Sequence, residues 1–322
     1  MRALVIGGTQ FMGRGLVESL VRDGHDVAVM HRRDHHDLGP EVRNLQADRG
    51  DLDTVATILR RERPEVVFDF AYSPSGTPAE HVEAAACSSG DRLQRYVFIS
   101  SMAAYVPGPD RCEDDPLVPD DHPEDYSRHK ASAERALLRM HAASGFPVVT
   151  VRPPFVHGPR QPFYREQFFW DRMRDGRPIV LPDDGATTMQ WVYVADVVEL
   201  CRRVMTMAEA VGEAFNVAHE ERTTQRTFVE ALAAAAGVEP RFVPVPRAAI
   251  ESAGGRLFGE PLYFGEFLDL FPISQTVEKA RRLLGFTPTP LETALAAGHA
   301  WYLTQPRRPV DYAFEDRLIA SA

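Results

Sequence analysis

The chain reads as an α/β protein, a doubly wound parallel sheet with a smaller C-terminal domain. Three observations predict this. Short apolar runs of β character alternate with helical patterns from Ala3 to Arg152, and such alternation builds a parallel sheet. The first run passes through a glycine turn, Gly7-Gly-Thr-Gln-Phe-Met-Gly13, straight into a helix. Gly7, His31, Asp48, Ala71, Ser101 and Arg152 close the runs, at the ends where open α/β sheets bind ligands.

Taken in order, residues 3–6 form the first strand, and Leu16, Val17, Leu20 and Val21 then recur at helical spacing up to Gly24. Residues 25–30 are the second strand and 44–51 hold a short third one, followed by a helix over 52–61. Residues 66–71 are a buried strand, 79–89 a helix and 95–100 the next strand. A loop rich in Asp and Pro leads into a helix over 126–141, and 146–152 is again a strand. From Pro153 to Pro178 the dense prolines and aromatics read as irregular. A strand returns at 190–194, then a helix at 196–207, a strand at 214–217 and a helix from Thr223 to Ala236, stopped by Gly237. The expected division is a dinucleotide-binding domain, 1–151 with 190–217, and a substrate-binding domain, 152–189 with 218–322.

Composition bounds the function. With 322 residues, 44% hydrophobic and 25% charged, the chain can bury a full core. A formal charge of -10 argues against a nucleic-acid partner. No apolar run nears the roughly 18 residues of a membrane span. The N-terminus enters a strand at once, so neither a signal peptide nor a membrane partner is expected. Cys87, Cys112 and Cys201 are too scattered for a metal set or a disulfide framework, which suits a cytoplasmic protein.

The glycine turn carries the first chemistry. Gly7 permits a tight turn and Gly13 lets helix and strand approach. Backbone N–H groups of Thr9, Gln10, Phe11 and Met12 then face a pyrophosphate. Gln10 occupies the place of the usual middle glycine. The second strand ends in His31-Arg32-Arg33, where an acid would hold the ribose hydroxyls of NAD. Guanidinium groups suit a 2′-phosphate, so NADP is expected rather than NAD. Asp48, Arg49, Phe70, Ala71 and Pro153 lie at later strand ends and complete the expected cofactor lining.

Tyr126-Ser-Arg-His-Lys130 sits on the long helix, and spacing of four places Tyr126 and Lys130 on one face. The pattern alone occurs in many helices. Its setting makes it specific. Phe98-Ile-Ser-Ser101, Tyr126-x-x-x-Lys130, Arg152-Pro-x-x-Val-x-Gly158-Pro159, Val192-Tyr-Val-x-Asp196 and Phe215-Asn216-Val217 follow one another in the order of a known family. Over nearly its whole length the chain resembles the extended, atypical short-chain dehydrogenase/reductases, the NAD(P)-dependent epimerase/dehydratase superfamily with a Rossmann domain. Ser101 precedes Tyr126 by 25 residues, a familiar separation there.

The resemblance implies a catalytic set of Ser101, Tyr126 and Lys130. A free tyrosine titrates near pH 10, too high for proton exchange near neutrality. An ammonium about 4 Å away is worth roughly 1–4 kcal/mol, or about one to three pH units. Lys130 would lower Tyr126 in this way and hold the nicotinamide ribose, while Ser101 polarises the reacting oxygen. The expected reaction is reversible reduction of a carbonyl. The alternatives are a nucleotide-sugar epimerase or dehydratase with transient hydride transfer, and a non-catalytic NADP-sensing or RNA-binding relative. Members commonly form homodimers through the helices matching 126–141 and 79–89.

Two departures bear on the small-molecule substrate. Phe155 stands where nucleotide-sugar members carry Asn, and Met189 where they carry Arg. With Trp191, Tyr72, Ser73 and Met102 these residues would line an apolar pocket. A diphosphate there would lose water without gaining charge-assisted bonds, unless Arg160 or Arg165 supplied them. A less charged ketone is the expected substrate.

Overall fold

The structure is a computed structural model describing residues 1–70 and 76–321. The chain divides into two compact units. Unit 1 comprises Met1–Pro154, Val194–Ala218 and Gln275–Pro288; unit 2 comprises Phe155–Tyr193, His219–Ser274 and Thr289–Ala322. The sequence expectation places 190–193 with the first domain and 275–288 with the second, and both segments fall the other way.

Unit 1 opens with β1 (Arg2–Ile6), α1 (Phe11–Arg22), β2 (Asp26–His31) and β3 (Arg43–Gln46). Next come α2 (Leu52–Glu62), β4 (Val66–Asp69), α3 (Ala79–Ser88) and β5 (Arg95–Ile99). It continues with α4 (Asp125–Ser144) and β6 (Val148–Arg152). Strands β4, β5 and β6 are buried along their whole length, because helices cover both faces. That is why they read as largely apolar runs. Helix α2 is capped by Asp51, whose carboxylate accepts from the Thr54 N–H. Helix α4 is capped by Glu124, which accepts from the N–H groups of Tyr126 and Ser127.

In unit 2 the chain forms β7 (Phe155–His157), α5 (Glu166–Arg174), β8 (Ile179–Pro182), β9 (Thr188–Met189) and β10 (Trp191–Tyr193). It returns to unit 1 for α6 (Val194–Thr206) and β11 (Ala214–Asn216). Unit 2 resumes with β12 (Thr223–Thr224), α7 (Gln225–Ala236), β13 (Phe242–Val245) and α8 (Arg247–Ser252). Helix α9 (Glu278–Leu284) belongs to unit 1, and α10 (Leu291–Leu303) and α11 (Ala313–Ala320) to unit 2.

The sheet of unit 1 has seven parallel strands in the order β11-β6-β5-β4-β1-β2-β3. The order reverses between β1 and β4, the switch point at which such sheets bind dinucleotides. Leu4, Ile6, Val67, Tyr96 and Phe98 pack on one side with Ala133 and Leu137 of α4.

Three expectations fail in unit 2. The stretch after Arg152 contains β7 and α5. Phe168, Phe169 and Trp170 of α5 are core residues of unit 2, but the prolines and flanking aromatics hide their helical period. The strand expected at 190–194 is β10, which pairs with β7 and lies outside the main sheet. Thr223 does not start a helix: it pairs with Met189, and Thr224 caps α7. Among the described residues no helix is long and apolar enough to cross a membrane.

Candidate active site

Site geometry in unit 1 begins at the C-terminal end of β1. Gly7 has φ +82°, and its N–H donates to Met30 O at 3.0 Å. A Cβ on Gly13 would stand 2.7 Å from Gly7 O and 2.9 Å from Gly8 Cα, so only glycine allows this approach. Phe11 adopts φ +42° at the helix start. Gln10 is the extended N-cap of α1 and makes no side-chain capping bond, so no side chain of the cap occupies the helix's first donors. Thr9, Phe11 and Met12 are half-buried and Gln10 is exposed. Phe70, on the neighbouring strand end, is buried, and its carbonyl lies 3.1 Å from where a Gly7 Cβ would be.

At the end of β2 the expected groups separate. His31 Nδ1 accepts from the Arg33 N–H at 3.3 Å, so its Nε2–H donates to Asn44 Oδ1 at 2.6 Å. Asn44 Nδ2 in turn donates to Asp34 O. The imidazole is therefore neutral and occupied, and burial lowers its pKa. Arg32 and Arg33 are exposed. Neither has an ion-pair partner among the described residues. Asp48 is exposed and accepts from Gly50 N.

Arg49, expected at the cofactor, is otherwise engaged. Nη1 and Nη2 donate to Asp69 Oδ1 and Oδ2, both at 2.6 Å. Asp69 is fully buried and also accepts from Tyr96 Oη at 2.5 Å. Sequence reasoning misses this network, although an Asp inside Val66-Val-Phe-Asp-Phe70 is itself a signal. A buried carboxylate must have charged or hydrogen-bonding partners.

The proposed catalytic set is placed by β5 and α4. Ser101 follows β5 and is half-buried; its Oγ accepts from the Ala103 N–H at 3.1 Å, leaving its own O–H to donate. Lys130 is buried, and its Nζ donates to Ile99 O at 2.7 Å. The ammonium lies 5.7 Å from the Tyr126 ring centroid and 5.2 Å from that of Phe98. Burial lowers Lys130 to about 8, opposed by the carboxylates of Asp69 and Glu134, while the Arg49 charge pushes the same way as burial. Met102 is buried in the turn after Ser101, and its N–H donates to the carbonyl of buried Pro153 at 2.9 Å. Ala71, Tyr72 and Ser73 lie outside the described residues.

Beneath this set lies a second buried network. Arg152 donates twice from Nε to Glu134, at 2.9 and 3.1 Å, and from Nη2 to Glu134 Oε2 at 2.6 Å. Its Nη1 donates to Tyr105 Oη at 2.7 Å and to Glu113 O at 3.0 Å. Ser100 Oγ also donates to Glu134. Glu134 is four residues after Lys130 and so shares its face of α4.

Two of the three substrate residues expected in unit 2 lie in its core. Met189 and Trp191 are core residues, 3% and 0% exposed. Trp191 stacks on Phe228 with ring centroids 3.6 Å apart. Their apolar character answers packing within unit 2. Phe155 is half-buried, with the Arg165 guanidinium 5.3 Å from its ring centroid. Behind it, His157 and His219 are fully buried and bonded through Nε2 at 2.7 Å.

The fold and the geometry define a Rossmann-type enzyme of the oxidoreductase kind, built for a nicotinamide dinucleotide. More particularly, the chain belongs to the NAD-dependent epimerase/dehydratase family, which it matches over residues 3–218. It is 29% identical to the chloroplast stem-loop binding protein of 41 kDa b of Arabidopsis thaliana, over 89% of this chain and 75% of the relative. It is 27% identical to the UDP-glucose 4-epimerase of Mycolicibacterium smegmatis, over 76% and 86%. Among solved structures, the Bacillus cereus UDP-glucuronic acid 4-epimerase with UDP-glucuronic acid and NAD superposes with a TM-score of 0.74 at 18% identity, covering 94% of this chain and 98% of that one. The Thermus thermophilus UDP-glucose 4-epimerase with NAD gives 0.73 at 24% identity, with 94% and 99% covered.

Proposed function

We propose that the protein moves a hydride between a nicotinamide dinucleotide and a carbon bearing an alcohol or carbonyl, with Tyr126 as acid/base. The observation carrying this is the buried Lys130 ammonium 5.7 Å from the Tyr126 ring. A cation there favours the phenolate and brings the hydroxyl toward the range in which it exchanges protons. Ser101, with its O–H left to donate, polarises the reacting oxygen. Lys130 also holds the nicotinamide ribose.

The relatives support transient hydride transfer on a nucleotide sugar, as in an epimerase or dehydratase, over net reduction of a ketone. The objection raised by Phe155 and Met189 weakens, since Met189 is a core residue of unit 2 and a guanidinium already lies over Phe155. Arg165, beside Phe155 in unit 2, is a guanidinium of the kind that grips a diphosphate. NADP is the preferred cofactor in this reading. Arg32 and Arg33 support it, while the NAD named with the family and the solved relatives supports NAD.

The experiment incubates the protein with UDP-glucose or dTDP-glucose and either cofactor. Products are followed by chromatography and the nicotinamide by absorbance. An epimer or a 4-keto-6-deoxy sugar with no net nicotinamide change is the expected result. NADPH consumed with a ketone would move carbonyl reduction to first place. No binding of either dinucleotide would overturn the reading, and then the stem-loop binding in the Arabidopsis relative's name becomes the activity to test.

A further inference from the structure

Of the two buried charge clusters described on the sheet of unit 1, Arg152–Glu134 and Arg49–Asp69–Tyr96, neither is used by the proposed chemistry, and the second bears on it. That second cluster lies close to the reacting groups. In the parallel register Asp69 stands directly opposite Phe98, so their side chains project from the same face. Tyr96, two residues before Phe98, shares that face and reaches Asp69 at 2.5 Å. The Lys130 ammonium sits 5.2 Å from the Phe98 ring centroid on that same side. Asp69 therefore projects from the same face of the sheet as the ring over which Lys130 lies. Arg49 and Tyr96 hold both of its oxygens, and a carboxylate gripped by a bidentate guanidinium has a fixed direction.

The composition sharpens the point. The chain has 36 Lys and Arg residues, of which only Lys130 and Lys279 are lysines. Arginine cannot lose its proton in this setting and lysine can. The one buried ammonium is thus placed where neighbouring charges decide how much of it stays protonated.

We propose that Asp69 is a positioning residue of the reaction, its carboxylate, aimed by Arg49 and Tyr96, keeping Lys130 charged and in place beside Tyr126. This rests on the assignment of Tyr126 and Lys130 above. The groups that act on Lys130 include Asp69 from β4, Arg49 from the turn after β3 and Glu134 from α4, with the centroid of the Tyr126 ring, also on α4, 5.7 Å away. Glu134 is committed to Arg152. Burial draws Lys130 down, and Asp69 is first among the groups that raise it. Arg49 acts on Lys130 in two opposed ways: it fixes the carboxylate and its own charge opposes the ammonium.

The test reads Lys130 directly. Lysine labelled at the ε position gives two NMR signals in this chain, and Lys279→Arg leaves one. In wild type the Lys130 signal should titrate well below a free lysine, at about 8. Asp69→Asn keeps the shape and removes the charge, and the midpoint falls by about one to two pH units. Arg49→Gln removes the opposing cation, and the midpoint rises. Opposite movements are not what loss of a merely structural contact produces, since both variants break the same ion pair. An unmoved midpoint in folded Asp69→Asn overturns the proposal. If that variant does not fold, Asp69→Ser decides by the same reading: a fall supports the proposal, and an unmoved midpoint overturns it. No substrate is needed, so this result is independent of the turnover lost or kept in Tyr126→Phe, which judges the underlying reading.

Discussion

Replacing Glu134 with Leu tests how the end of the sheet is held. Arg152 and Glu134 side chains are 3% and 0% exposed, and three of their nitrogen–oxygen contacts lie between 2.6 and 3.1 Å. At 2.6 Å and an effective dielectric of 20 the attraction is about 6 kcal/mol. Most of it offsets the desolvation of two ions, so the pair contributes little net stability. The cost of breaking it is another matter. Glu134→Leu leaves a buried guanidinium with only Tyr105 Oη and Glu113 O as acceptors, and Ser100 Oγ loses its partner. The expected loss is about 3–5 kcal/mol. Arg152→Met, which strands the carboxylate, should cost a similar amount. The double variant should lose at least about 2 kcal/mol less than the sum, because neither charge is then orphaned. Trp170, Trp191 and Trp301 all belong to unit 2, so intrinsic fluorescence does not follow this event. Amide hydrogen exchange at Val149 and Val151 of β6 does. Additive costs, or singles below about 1 kcal/mol, would refute the argument that a stranded charge dominates.

Tyr126→Phe should bind dinucleotide as wild type does and lose roughly 10²–10⁴-fold in turnover; turnover near wild type removes the acid/base assignment. Arg32→Ala should weaken NADPH binding by about tenfold or more and leave NADH binding nearly unchanged, as read by calorimetry; a wild type that already prefers NADH refutes the 2′-phosphate reading. Trp191→Ala should destabilise unit 2 by about 3–5 kcal/mol, seen in its thermal transition, and Trp191→Phe should recover much of that loss by keeping a ring on Phe228.

The sheet of unit 1 is legible in the sequence because its strands are covered on both faces and bounded by turns. Gly7 and Gly13 are legible because only glycine fits where they stand. The Tyr126–Lys130 pair shows in a spacing of four and a position after Ser101. Other features leave weaker traces. Strands β7 and β10 are three residues each, too short for a period of two to declare which face is buried. Met189 and Trp191 therefore read as pocket residues, although they pack the core of unit 2. Arg49 reads as a strand-end residue, but its direction depends on Asp69, twenty residues away in sequence. Such pairings belong to the tertiary structure, and a single chain offers only the hint that a charge inside an apolar strand needs a partner.

The chain leaves unit 1 at Phe155, returns at Val194, leaves again at His219 and comes back for Gln275–Pro288. This has a consequence during synthesis. Strand β11 hydrogen-bonds to β6 through Ala214↔Thr150 and Asn216↔Arg152, so a ribosome that has delivered only the residues up to Pro154 has made a sheet with a raw edge at β6. That edge stays open while the intervening segment emerges, and an open parallel edge is a template for pairing with other chains. Closing it spans a long loop, a slow kind of contact. The hazard falls on nascent chains long enough to contain β6 and too short to expose β11. A chain cut after Pro154 would hold that hazard permanently, and its aggregation, set against the solubility of the full chain, would show how much the late strand contributes as a seal.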